Sequence, residues 1–404
     1  MRTGTRRGGV WIDVVVVTVI VAVGIAVAGV TDNSAADVEA IPGCDVVLPA
    51  DDGFSFTIGS YAGTYGNPDY PWLTAAKASA MSDALIGSLP SDVEVAFAGP
   101  SESLVFQPML IYPGDREIAD GVTVQDISGD STASGVVGRD GHDASLRVSA
   151  EESDGTIPPC REGRVDERAT LSGGIVVDTQ DAVSDFDGVS THRRTATAYF
   201  SDTVVSARTS SEGRDSPLPL EVDELRRIVS NPELRTSTEA PDDTPPPRRD
   251  CGSPGENPVA PLPKEVVERI GAALAVQWAI SFPDARTDRP VGDLVPGRSG
   301  SGSACTIMNV TTPSVSTEMT IDVSLRETIG WSDSVAPTVP GVSSTTLLDG
   351  TVVTTRSEED ARSEGPVTWV SVLRPSNTLV QIRVGDTVNV DSIVDLATAP
   401  GLDL

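Results

Sequence analysis

The stretch "SDTVVSAR" at Ser201–Arg208 comes back as "SNTLVQIR" at Ser376–Arg383. Each reads as a turn entering a strand of alternating apolar residues. A chain that repeats a pattern at such a distance is expected to fold that pattern twice. Three further pairs keep the same order. "WLTAAKASAMSDALIGSLP" (Trp72–Pro90) sets Leu73, Ala76, Ala80, Met81, Ala84, Leu85 and Leu89 on one helical face. "PKEVVERIGAALAVQWAISFP" (Pro263–Pro283) does the same with Val267, Ile270, Leu274, Trp278 and Phe282. Both stretches close on a bulky apolar residue and a proline, Leu89-Pro90 and Phe282-Pro283, and proline cannot continue a helix. "TLSGGIVVDT" (Thr170–Thr179) then pairs with "TLLDGTVVTT" (Thr346–Thr355), a glycine turn entering a β-branched run.

The doubled phrase follows, inside "TATAYFSDTVVSAR" (Thr195–Arg208) and "TWVSVLRPSNTLVQIR" (Thr368–Arg383), each a strand, a turn and a strand. "EVDELRRIVSNPEL" (Glu221–Leu234) and "NVDSIVDLATAPGL" (Asn389–Leu402) close the two copies. Asp223 and Asp391 are the expected N-caps, because a carboxylate there accepts from free N–H groups of the first turn. Leu225, Ile228 and Val229 match Ile393, Leu396 and Ala397, and Pro232 and Pro400 end both helices.

Each copy thus reads helix, antiparallel strands, short C-terminal helix. The expected fold class is α+β, with the helices packed on one face of an antiparallel sheet. The expected plan is an N-terminal transmembrane helix followed by two tandem homologous domains at 44–234 and 262–404. The segment 235–261, "RTSTEAPDDTPPPRRDCGSPGENPVAP", is rich in Pro, Ser and Asp without apolar period, and is expected to be a semi-rigid linker. Roughly 99–155 reads as additional strands and hairpins of the first copy, most of it missing from the second.

The repeat also orders the cysteines. Cys44 and Cys251 precede the first helix of their copies; Cys160 and Cys305 precede the strand region. Of three connectivities, this order selects Cys44–Cys160 and Cys251–Cys305. The even count fits an oxidising compartment, and no cysteine lies in a CxxC or CxxH arrangement that would hold zinc or exchange disulfides.

The N-terminus reads as a membrane segment. Residues 1–9 carry Arg2, Arg6 and Arg7; an uncharged apolar run spans Val14–Val30, extended to 10–30 if Asp13 is neutralised. Positive charge on the N-terminal side puts that end in the cytoplasm and the bulk outside. The alternative is a cleaved signal sequence, with Ala26-Val27-Ala28 as the site and secretion as the outcome. A lipoprotein reading of Ile41-Pro42-Gly43-Cys44 is the weaker one, because a polar stretch separates it from the apolar run.

Acidic residues outnumber basic ones 59 to 29, a net charge of −30 that argues against a nucleic-acid partner. His142 and His192 are the only histidines, a poor supply for acid–base or zinc chemistry. "GRSGSGS" (Gly297–Ser303) is neither a nucleophile elbow nor a phosphate loop. "SDFDG" (Ser184–Gly188) has the centre of a calcium loop, but Val183 and Arg194 stand where ligands belong. "RDGHD" (Arg139–Asp143) reads as an Asp-Gly hairpin turn. Trp278 is expected in the core, while Trp369 fits either the core or an exposed anchor. No catalytic, cofactor-binding or metal residue is expected.

"YPWLTAAKASAMSDAL" and "VNVDSIVDLATAPGL" resemble uncharacterised single-pass membrane proteins of high-GC actinobacteria, which carry extracytoplasmic domains. The resemblance implies a compartment and a lineage and brings no activity. The expected function is that of a membrane-anchored extracytoplasmic binding or interaction protein. It is expected to be non-enzymatic, to carry no cofactor, to touch the membrane through its N-terminal helix and to have a cell-envelope protein as partner. Repeated modules suit bivalent binding. The alternative is a secreted or anchored hydrolase with a carboxylate-based site.

Overall fold

The structure is a computed structural model that describes residues 18–19, 40–50, 56–57, 61–111, 117–119, 122–123, 129–251, 260–297, 302–313, 315–325, 342–359, 366–385 and 388–404. These residues form a mixed α+β protein with antiparallel sheets and four α-helices. The chain divides into two compact units, one of Met1–Val93, Phe106–Ala133 and Gly138–Thr244, the other of Glu94–Val105, Ser134–Val137 and Pro245–Leu404. The apolar segment expected to cross the membrane at 10–30 lies outside the described residues except for Thr18–Val19, a two-residue strand paired with Phe56–Thr57. Among the described residues no helix is long and apolar enough to cross a membrane.

The first helix, α1 (Ala75–Ser88), starts at Thr74, whose hydroxyl accepts from the Lys77 N–H at 3.1 Å, and stops at Leu89, one residue before Pro90. Met81 and Leu85 of its inner face are fully buried. Lys77 is buried too, against the expectation of an all-apolar face. Its Nζ donates to the carbonyls of Arg235 and Thr238 at 2.6 and 2.5 Å. Burial lowers its pKa to about 8, with Glu233 pulling the other way.

A seven-stranded sheet follows, built from β1 (Glu94–Val95), β2 (Asp130–Arg139), β3 (His142–Glu152), β4 (Glu167–Thr170), β5 (Val176–Phe186), β6 (Val189–Tyr199) and β7 (Thr203–Glu212). Its order is β4-β5-β6-β7-β3-β2-β1. Hairpin β2–β3 turns at Asp140-Gly141 and hairpin β5–β6 at Asp187-Gly188, all four with positive φ, as two-residue hairpin turns require. Helix α2 (Val222–Val229) packs on β6 and β7 through Leu225, Ile228 and Val229.

The second sheet contains β8 (Arg286–Thr287), β9 (Val295–Pro296), β10 (Ser303–Thr311), β11 (Ser316–Leu325), β12 (Val342–Thr346), β13 (Val352–Glu359), β14 (Pro366–Leu373) and β15 (Thr378–Gly385). Its order is β8-β10-β11-β15-β14-β13-β12, with β9 also on β10. In both sheets an N-terminal hairpin is completed by a four-strand meander whose last strand returns to pair with the hairpin. Hairpin β10–β11 therefore stands where β2–β3 stands in the first sheet. Of the stretch 99–155, expected to be mostly extra in the first copy, the part 130–152 thus has a topological counterpart in the second sheet, with alternation kept and residue identity not.

Helices α3 (Lys264–Ser281) and α4 (Val390–Ala397) cover one face of the second sheet. Val267, Ile270, Leu274, Trp278 and Phe282 of the α3 stripe enter the core with Ile321, Val370, Val380, Ile382 and Leu396. The Trp278 and Phe282 rings stack at 4.3 Å. Gly271 lets α3 approach the loop before β9: a Cβ there would lie 2.1 Å from the Gly292 carbonyl oxygen.

The expected N-caps need correction. The helices begin two residues earlier, at Glu221 and Asn389. Glu224 Oε2 accepts from the Glu221 N–H at 2.8 Å, and the Asn389 side chain accepts from the Asp391 N–H at 2.9 Å. Asp223 and Asp391 instead lie in the first turn, where they complement the helix dipole. The segment 235–261, expected to be a linker, is held at 235–236 and again at 248–249. Arg235 pairs with Asp202 at 2.8 Å, and Thr236 is buried against Thr203, their hydroxyls 2.8 Å apart. Arg248 pairs with Asp293 at 2.6 Å and Arg249 with Glu318 at 2.5 Å.

The two disulfides are Cys44–Cys160 and Cys251–Cys305, the pairing expected from the sequence. Opposite Cys305 in register sits Asp322, 8% exposed, with one carboxylate oxygen lacking a hydrogen-bond partner. Burial raises its pKa from 3.8 to about 6, against smaller opposing effects of Ser324 and Ser303. Between those two pH values the folded state holds a proton that the unfolded chain has lost. This group's contribution therefore falls as pH rises through the window. Asp322→Asn is expected to raise stability at pH 7.5 by roughly 3 kcal/mol and at pH 4 hardly at all; urea unfolding at the two pH values measures the difference.

Candidate functional site

Alternation along the first sheet separates a core face from an outer one. In β3, Ala144, Leu146, Val148 and Ala150 turn inward, while Ser145, Arg147, Ser149 and Glu151 turn outward. In β7 the outward set is Val204, Ser206, Arg208 and Ser210, and in β6 it is Arg193, Thr195, Thr197 and Tyr199. Register brings these into rows. Arg147 lies opposite Arg208, Arg208 opposite Thr195, and Thr195 opposite Gln180 of β5. One row along, Ser145 lies opposite Ser210 and Ser210 opposite Arg193. One row the other way run Ser149, Ser206, Thr197 and Asp178.

Three guanidinium groups therefore share one patch. Directly opposed residues on neighbouring strands have Cβ atoms ~4.5–5.5 Å apart and diagonal ones ~7–8 Å, so Arg208 touches the fields of both others. Among the described residues none of the three has a carboxylate partner. Arg147 reaches the Thr132 hydroxyl at 3.4 Å and Arg193 the Gln180 side-chain oxygen at 3.4 Å. Burial, then the charges of Arg147 and Arg193, lower the pKa of Arg208 below its ordinary value. The contrast with neighbouring arginines is sharp. Arg139 pairs with Glu224 at 2.9 Å, Arg168 with Asp178 at 2.6 Å, Arg194 with Asp181 at 2.8 Å and Arg226 with Glu167 at 2.5 Å. In a chain with twice as many acids as bases, an arginine patch without an acid is a departure that the fold itself does not require.

A cavity of about 280 Å³ adjoins the patch and shares Thr195 and Gln180 with it. Pro158 and Pro159 form one wall, and Tyr199, Thr197 and Asp178 lie along the sheet side. The wall is held from two directions. Cys160 is bonded to Cys44, and Cys160–Arg161 pairs in parallel with Val47–Leu48. Arg168, already paired with Asp178, donates through Nη2 to the Pro158 carbonyl at 2.8 Å. Gly43 completes the frame: with φ +78° it passes so close to β4 that a Cβ would lie 1.8 Å from the Arg168 carbonyl oxygen. Burial, followed by the Asp178 carboxylate, pushes the Tyr199 phenol above its ordinary range.

The second sheet places Arg383 where the first has Arg208, at the end of the doubled phrase. There it lies opposite Thr320 and Trp369. Its guanidinium sits over the Trp369 ring at 5.7 Å and 3.9 Å from Glu318. Trp369, left open between core and anchor, is a half-buried outer-face residue.

The other sequence candidates do not converge. His142 is exposed beside its hairpin turn. His192 lies 2.7 Å from an Asp181 oxygen and 2.7 Å from the Ser216 carbonyl oxygen. Ser184–Gly188 is the tip of hairpin β5–β6, and residues 298–301 of the Gly/Ser stretch lie outside the described residues. Among the described residues no group of three or more His, Cys, Asp or Glu side chains is placed to hold a metal ion. Comparison with protein-family models, with curated proteins and with solved structures found no match to this chain.

Like charges directly opposite on a sheet destabilise it by about 0.2–1 kcal/mol. Arg208→Gln is therefore expected to stabilise the protein by up to about 1 kcal/mol in urea unfolding at low salt. The gain should shrink in 0.5 M NaCl, where screening already weakens the repulsion.

Proposed function

We propose that this chain is an extracytoplasmic binding protein, held at the cell membrane by its N-terminal apolar segment and built from two tandem homologous modules over 44–234 and 262–404. In this reading it is non-catalytic, and the first module binds an anionic ligand on the Arg147–Arg193–Arg208 patch. The observation that carries the binding role is the patch itself: three guanidinium groups side by side with no carboxylate among them. Arginine offers planar paired donors that match carboxylate and phosphate oxygens, and an anion would relieve the repulsion that the empty patch sustains. The common strand order of the two sheets, α1 and α3 before them and α2 and α4 after them supports the tandem reading. Two disulfides support an oxidising compartment. The second module differs at the equivalent place, where Trp369 and Glu318 already satisfy Arg383. The modules thus share a framework and divide its use.

Titration with sodium phosphate and sodium citrate at constant ionic strength tests this, read by calorimetry and by the shift in unfolding temperature. Wild-type protein is expected to bind and to be stabilised. Arg208→Gln is expected to lose the response. Thr195→Trp, which writes into the first sheet the residue the second carries beneath its arginine, should lose it as well. Equal responses in all three proteins, or none in the wild type, would overturn the reading.

A further inference from the structure

We infer that the ligand of the first module is an acidic oligosaccharide, with one sugar ring in the cavity beside Tyr199 and its charged group on Arg208. This rests on the anion-binding reading above and adds the substrate class. Three observations narrow the choice.

The first is shape. The cavity of about 280 Å³ lies just below the ~300–1,000 Å³ of sites that take drug-sized ligands, so it holds a single ring. The patch begins at the cavity's own rim, at Thr195, and continues along β6 to Arg193. Outward residues Tyr199, Thr197, Thr195 and Arg193 of β6 cover six residue steps, about 20 Å at the rise of an extended strand. Arg208 stands directly opposite Thr195 at the rim, and a ligand that fills the cavity and reaches Arg193 as well is elongated, longer than an isolated phosphate or carboxylate.

The second is lining chemistry. Tyr199, Pro158 and Pro159 supply flat apolar surface, Thr195, Thr197 and Gln180 supply short neutral hydrogen-bonding groups, and Arg161 and Arg164 add two guanidinium groups to the lining. A sugar ring has the matching character, with C–H faces and a rim of hydroxyls. Asp178 is neutralised by Arg168 at 2.6 Å and so does not repel an anion as a bare carboxylate would. The rest of the face is mostly hydroxyls, Ser145, Ser149, Ser206 and Ser210, with Val204 and the Glu151 carboxylate in the row of Tyr199, which gives a lipid tail little to bury against.

The third is what the position forbids. β3, β7 and β6, the strands that carry the three arginines, are interior to the sheet and paired on both sides. A peptide adding as an extra strand needs a free edge, and this site offers none. A nucleic acid is disfavoured by the net charge of −30, which repels a long phosphate chain beyond the patch.

The test uses the whole extracytoplasmic region and four probes by calorimetry: sodium phosphate, trigalacturonate, the neutral galactose trimer, and glucose 6-phosphate. Wild-type protein is expected to bind trigalacturonate at least tenfold more tightly than phosphate, and the neutral trimer at least tenfold more weakly than its acidic counterpart. Tyr199→Ala, checked for retained folding by its unfolding curve, should lose the advantage of trigalacturonate and keep phosphate binding. Arg208→Gln should lose both. A preference for glucose 6-phosphate over trigalacturonate overturns the oligosaccharide and leaves a single phosphorylated sugar. If phosphate binds through Arg208 but neither acidic sugar binds more tightly, the anion site stands and the oligosaccharide is overturned. Equal binding of the neutral trimer also overturns it. If no anion binds and Arg208→Gln changes nothing, both readings fall together.

Discussion

The last strand of each meander returns to pair with a hairpin made much earlier, β7 with β3 and β15 with β11. The rest of the architecture depends on this pairing. It joins Ser145–Glu152 to Thr203–Ser210, segments separated by about sixty residues, and so closes the sheet on which α2 packs. Its register decides which side chains face the core and which face outward, because a slip of one residue would exchange the two faces. Val148, Ala150, Val205 and Ala207 are fully buried, so the hydrophobic pattern holds the register in place. The same register sets Arg147 against Arg208. The repulsion between them is a by-product of a pairing whose strength comes from the opposite face.

The cavity wall depends on a different kind of constraint. Pro158 and Pro159 belong to no strand, and a loop there would sample many conformations without a tether. The Cys44–Cys160 bond closes a separation of 116 residues and restricts the unfolded chain, an effect typically worth about 2–4 kcal/mol. Arg168 then sets the loop's height above the sheet, joining Asp178 to the Pro158 carbonyl. Lys77 plays a comparable part elsewhere, gathering two carbonyl groups of the chain leaving the first unit onto α1.

Much of this was legible in the residues. The α3 stripe, the proline stops of α1 and α3, the two hairpins of the doubled phrase and the cysteine partners follow from local periodicity and from the repeat. The N-caps did not, because Glu221 and Asn389 stood two residues upstream with side chains equally able to cap. Hairpin β10–β11 was missed as the counterpart of β2–β3 because a strand preserves alternation and not residue type. Lys77 was missed because lysine is almost never fully buried, and the signal was faint: one charged residue inside an alanine-rich face.

What the sequence by itself determined is the kind of element each stretch forms and how the cysteines divide, since these depend on neighbours three or four residues away or on a pattern written twice. The arginine patch is a decision of the tertiary structure. Arg147, Arg193 and Arg208 carry no mark that separates them from the paired arginines around them. They meet because three strands align at one register, and they stay unpaired because Asp178 is drawn to Arg168, Asp181 to Arg194, and Glu151 stands four residues along β3 from Arg147. Charge proximity across strands is a property of register, and register is settled by the buried face.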